Sequence, residues 1–242
     1  MCIPRRAGAL ALAVALALGP SAPAAYEFAT FHPVTASGPF ALTNNGGTSL
    51  TIGAANVPVT FNWAAATGLS TADHGAYLSI GPIVPPSSTQ PASVAGPFVT
   101  QPVNDLEKLT LTSGVNGTGQ NLLTLFFTGD ISGLLGGSSA SLVGADDSLT
   151  SPRIVAYTSD FGTFVAPGNS YNLGLDTITP ALSVGPGGFL GSFDANVGGT
   201  FTGTFQATPA ASAAPEPASL TLLATGALGL LGYAWRKRRQ PA

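Results

Sequence analysis

The sequence predicts an all-β domain, an antiparallel β-sandwich or jelly roll, with an N-terminal signal peptide before it and one C-terminal transmembrane helix after it. Three observations carry this. Apolar and polar residues alternate with period 2 through much of the middle of the chain. Turn signals rich in Gly and Asn separate those runs. No stretch before residue 215 keeps a helical period with a cap at each end. Short strands at this spacing belong to sandwiches and jelly rolls.

The first element is the leader. Arg5 and Arg6 form a positive n-region, residues 7–18 an apolar run, and Ala22-Pro23-Ala24 a small-residue cleavage site, so residues 1–24 read as a secretory signal peptide. Residues 25–206 read as the β-rich extracytoplasmic domain. Its strands are expected at 26–34, then on both sides of Asn44-Asn45-Gly46-Gly47, where Asn-Gly supplies the positive φ of a tight hairpin. In "VPVTFNW" Val57, Val59, Phe61 and Trp63 share one face, with Pro58, Thr60 and Asn62 on the other. Residues 77–80 follow as a strand, then 81–98, holding five prolines, as a long loop or the joint between two halves. "KLTLTSGVNGTGQNLLTLFF" reads as a second hairpin turning at Asn116-Gly117, with 122–127 apolar on both faces like a central strand. The Gly/Ser-rich stretch 132–148 reads as loose; strands are expected again at 153–158, through Tyr171, Leu173 and Leu175, at 188–194, and through Phe201 and Phe205.

Composition narrows the function classes. The single cysteine, Cys2, lies in the signal peptide, so the mature chain has no disulfide, thiolate metal site or cysteine nucleophile. Six of the eight basic residues sit at the two ends, leaving Lys108 and Arg153 against ten acids in the middle, a net charge of −8 there. Binding nucleic acid requires clustered cations to neutralise phosphate, which excludes that class. Only 8% of residues are charged, and polarity comes instead from Thr, Ser, Asn and Gly, a composition suited to an extracellular matrix.

No catalytic residue, metal ligand or cofactor site is assigned. There is no nucleophile elbow, Walker loop or dinucleotide fingerprint. His74 follows Asp73 in a Gly-flanked loop, and His32 precedes Pro33 at a strand end; neither has the partners of a triad or zinc site. Asp130, Asp146 and Asp147 lie in Gly-bounded loops but lack Asp-x-Asp-x-Asp calcium spacing. A glycosidase would need two converging carboxylates, drawn from Asp73, Asp105, Glu107, Asp130, Asp146, Asp160, Asp176 and Asp194, with Glu27 and Glu107 the domain's only glutamates. Trp63 is expected in the core rather than on a sugar platform. Asn116-Gly117-Thr118 is a sequon on a turn.

The C-terminus is the most specific segment. Residues 207–217 form a Pro/Ala linker ending in Pro215-Glu216-Pro217. Residues 218–235 are apolar apart from small hydroxyls and are expected to form a transmembrane helix about 27 Å long. Arg236, Lys237, Arg238 and Arg239 follow, and the positive-inside rule makes 236–242 a cytoplasmic tail. This ordered set of "PEP", "ASLTLLATGALGLLG" and "RKRR" resembles the PEP-CTERM sorting signal of Gram-negative bacteria that make extracellular polysaccharide. The resemblance implies an exosortase-type membrane protease as partner, cutting near the triplet. The chain is thus expected to pass the inner membrane, to be held by its single span, and to reach the cell surface or the extracellular medium. The expected role is structural or interactive, in an exopolysaccharide matrix. The alternatives are a carbohydrate-active enzyme, or a sugar- or calcium-binding module, on a jelly-roll scaffold.

Overall fold

A computed structural model of the chain describes residues 24–34, 40–146 and 153–208. They form eleven strands: β1 (Tyr26–Pro33), β2 (Phe40–Asn44), β3 (Leu50–Trp63), β4 (His74–Pro82), β5 (Ser93–Ala95), β6 (Phe98–Thr112), β7 (Asn121–Leu134), β8 (Ser139–Ala145), β9 (Val155–Thr158), β10 (Gly162–Thr179) and β11 (Phe193–Ala207). Three single turns of 3-10 helix complete the described elements.

Alternation builds these strands as expected from a half-buried sheet. Val57, Val59, Phe61 and Trp63 are buried while Pro58 is exposed, and Tyr171, Leu173 and Leu175 are buried while Asn172 and Asp176 are exposed. β7 carries burial on consecutive residues Leu122, Leu123, Thr124 and Leu125. It is paired on one side with β6 and on the other with β8 and β9.

The topology corrects the expected sandwich or jelly roll. Pairing follows chain order, always antiparallel: β1 with β3, β3 with β4, β4 with β6, β6 with β7, β7 with β8, β8 with β10, and β10 with β11. β11 then pairs back onto β1 and closes the ring. β1 and β2 lie one after the other between β3 and β11, so they are two halves of one interrupted strand. β8 and β9 share a position beside β7 in the same way. The result is a closed up-and-down meander, which removes the free edges a sandwich would leave. The physical reason for the difference is non-local: closure rests on the first and last strands meeting, which period-2 patterning does not encode.

The transmembrane helix is also corrected. The described chain is almost entirely β-strand, and among the described residues no helix is long and apolar enough to cross a membrane. Residues 218–235 lie outside the described residues, so the structure offers nothing for the expected span or for anchoring by it. By length alone the expected span, about 27 Å, falls short of the roughly 30 Å hydrocarbon core.

Two smaller expectations also change. The stretch 188–194 is mostly loop, with β11 starting at Phe193, and the stretch 132–148 contains the end of β7 and all of β8.

Both ends of the barrel are filled. The end where β1 starts and β11 finishes holds an aromatic cluster. Phe28 meets Tyr157 edge-on with centroids 5.0 Å apart, and Trp63 stacks on Phe205 at 5.1 Å. The opposite, distal end is covered by four loops, three of which bond to the β10–β11 connection. Asn44 Nδ2 donates to the carbonyls of Pro186 and Leu190 at 3.2 and 3.1 Å. Ala92 N donates to Gly188 O at 3.0 Å, and Gly136 N to Leu182 O at 2.7 Å. Buried Gln101 ties two of these loops from below: its Nε2 donates to Gln90 O at 2.7 Å and its Oε1 accepts from Leu190 N at 3.2 Å.

Candidate functional site

The sorting residues Pro215, Glu216 and Pro217 and the basic cluster Arg236, Lys237, Arg238 and Arg239 lie outside the described residues. The structure does show where that segment is attached. β11 runs to Ala207, Thr208 N donates to Phe161 O at 2.9 Å, and the neighbouring Tyr26 hydroxyl donates to Phe205 O at 3.0 Å. The chain therefore enters and leaves the barrel at one end, beside the aromatic cluster.

Within the barrel, the acids singled out from the sequence take separate local partners. Asp73 Oδ1 accepts from Asn62 Nδ2 at 2.9 Å. Asp146 Oδ1 accepts from Gly168 N and Asn169 N at 2.7 and 2.9 Å, bracing the irregular stretch of β10. Asp160 Oδ2 accepts from Asn121 N at 2.7 Å, and Asp130 takes both of its oxygens to Arg153 Nη2 at 2.6 and 2.7 Å. Glu27, Asp176 and Asp194 are exposed, and Asp147 lies outside the described residues. Among the described residues no group of three or more His, Cys, Asp or Glu could hold a metal ion. His74 opens β4 rather than sitting in a loop, and Trp63 is buried.

Glu107 stands apart. It is fully buried on β6, on the same face as Leu109 and Leu111, and opposite Phe127 of β7 and Pro82 of β4. Neither carboxyl oxygen has a hydrogen-bond partner of good geometry. Burial pushes its pKa up to about 7; the Ser87 hydroxyl opposes the rise and the Asp105 carboxylate adds to it. The signal was present in the sequence as parity, since Glu107, Leu109 and Leu111 alternate in step. Two tyrosines share the interior. Tyr171 donates to Thr128 O at 3.0 Å and Tyr157 to Ser170 O, and burial raises both phenols well above their usual range.

The outer face carries shallow polar grooves. One, about 380 Å³, crosses β1, β10 and β11, with Thr30, His32, Asn172, Asp176, Asn196 and Thr200 around Gly174 and Gly198. A Cβ on Gly174 would meet nothing within 4 Å, so the floor there is open backbone. Asn196 Nδ2 donates to Thr177 Oγ1 at 2.8 Å, beside a bulge where Thr177 takes a φ of 55°. Such a surface offers hydrogen bonds and little charge.

Comparison with known proteins places one feature. A family model for the PEP-CTERM protein-sorting motif matches residues 213–239. No curated protein and no solved structure shows significant similarity to the chain.

Proposed function

From a chain that ends in a PEP-CTERM protein-sorting motif, we propose an exported protein of the cell surface or extracellular matrix, with a structural or interaction role and no enzymatic activity. The motif carries this reading. It supports a C-terminal sorting signal and an extracellular role, and it implies processing by an exosortase-type protease near Pro215, Glu216 and Pro217. The barrel adds support of a different kind. Asp73, Asp146 and Asp160 are each hydrogen-bonded at a separate place, which suits a scaffold more than a cleft with a catalytic pair. Its outer groove of amides and hydroxyls suits contact with extracellular polysaccharide, where many weak neutral hydrogen bonds add along a polymer.

The test is the intact mass of the full-length chain exported from a host with and without an exosortase-type protease. With the protease, the product should end near Pro215–Pro217 and lack residues 218–242. Glu216→Ala, or deletion of residues 236–239, should block that cut. A surface product retaining the whole C-terminus in the presence of the protease would overturn the sorting reading.

A further inference from the structure

A gap in regular pairing lies in the distal half of the barrel, between β3 and β6. β4 ends at Pro82, opposite Glu107, yet β3 begins at Leu50 and β6 at Phe98, so both flanking strands extend further toward the distal end. Residues 83–92 fill that position as an irregular strap. Ser87 N donates to Leu50 O at 2.8 Å, Leu50 N donates to Ser88 O at 2.9 Å, and Ile52 N donates to Ser87 Oγ at 2.9 Å. On the other side, Asp105 N donates to Ser87 O at 3.2 Å and Ile83 N to Leu106 O at 3.0 Å. Ser87 and Ser88 are fully buried, although they belong to a loop.

Glu107 lies on the interior face of β6 at this gap, just past the register break between Val103 and Glu107. A buried carboxylate without partners is costly, whereas the neutral acid is tolerated. Its surroundings offer no cation. The strap, Pro82 and Phe127 carry no charge, and Lys108 points outward and is exposed. The titratable groups acting on it are Asp105 on its own strand, which opposes ionisation, and Tyr171 on β10, which stays protonated. An ion formed here can be hydrated by breaking strand ladders or by lifting the strap. The strap is held by a handful of bonds, so it is the cheaper route.

We propose that Glu107 is a protonation latch: as a neutral acid it keeps the 83–92 strap seated over the distal end, and on ionisation it releases the strap and admits water to that end of the barrel.

The experiment is hydrogen exchange by mass spectrometry on the full-length chain, following peptides that cover 50–54 and 83–92, corrected for the intrinsic pH dependence of exchange. With a pKa of 4.5 in the open state and about 7 in the closed state, opening should rise roughly 70-fold between pH 5 and pH 8. In Glu107→Gln the corrected rate should stay within about twofold over that range, and peptides from β10 and β11 should be unaffected in both proteins. An equal rise in Glu107→Gln, or a flat profile in the wild type, overturns the latch. Should Glu107→Gln not fold, the carbon-13 shift of the wild-type Glu107 carboxyl decides: a midpoint near 7 supports the proposal, and one below 5 rejects it.

Discussion

Arg153 is the only arginine among the described residues, and both of its terminal nitrogens are engaged while its buried Nε has no partner. Its Nη2 meets both oxygens of Asp130, and its Nη1 donates to Asn104 Oδ1 at 2.9 Å. The pair joins the start of the β9 segment to β7, next to the break that separates β8 from β9. With side chains 18% and 30% exposed, the pair is sheltered enough to matter. Arg153→Met should cost about 1–3 kcal/mol in urea unfolding, because Asp130 then loses a charge-assisted, two-pronged partner. Asp130→Asn with Arg153→Met together should cost less than the sum of the two. Strict additivity would show that the pair contributes nothing as a pair. At the same scale, Glu107 sets a pH dependence for the whole fold. Its folded pKa is raised from 4.5 to about 7, so its full contribution is present below 4.5 and is lost as pH rises through about 7. The loss is about 3 kcal/mol, and melting temperature should therefore fall between pH 5 and pH 8 in the wild type and hold level in Glu107→Gln.

At the scale of elements, the distal loops depend on two backbones that touch. A Cβ on Gly187 would lie 1.9 Å from Gly47 O, and Gly187 also has a φ of 69°. Gly46 has a similar φ of 67°, but a Cβ there meets nothing within 4 Å. Gly46→Ala should thus cost only the backbone strain, about 1 kcal/mol, whereas Gly187→Ala should cost more than twice that and loosen the 45–49 and 186–190 loops together. Equal melting temperatures for the two variants would show that the contact is not tight. The same elements show what was legible in the sequence. Residues 57–63 of β3 and 171–176 of β10 alternate without interruption, so their buried faces could be read directly. β8 could not, because only Leu142 of its seven residues is buried and its Ser and Gly positions look like loop. The first half of β10 hides behind the register shift between Val165 and Ser170. The sorting segment was legible because its signal is a local order of residues, whereas the seat of Glu107 depends on a strap that returns from twenty residues earlier in the chain.

At the scale of the molecule, closure of the ring makes the first and last strands neighbours, and this has a consequence for where the chain can be cut and joined. Tyr26 pairs with Gly203, and β11 continues to Ala207. Four further residues at about 3.3 Å each place the end of β11 roughly 13 Å beyond the start of β1, a gap that a linker of about six residues spans. Joining residue 25 to residue 208 in this way, with new ends opened in the exposed stretch 70–73, keeps every ladder of the barrel intact. That permutant should melt within a few degrees of the unpermuted barrel. Removing residues 26–33 instead strips β1 from between β3 and β11 and bares two edges. The truncated chain should aggregate, as unpaired edges recruit other chains. If the permutant aggregates as readily as the truncation, the β1–β11 pairing does not close the ring in solution. If it folds, the entry and exit of the chain are confirmed at one end. The sorting segment that follows residue 208 then leaves from the aromatic end of the barrel, with the distal loops and their strap at the opposite end.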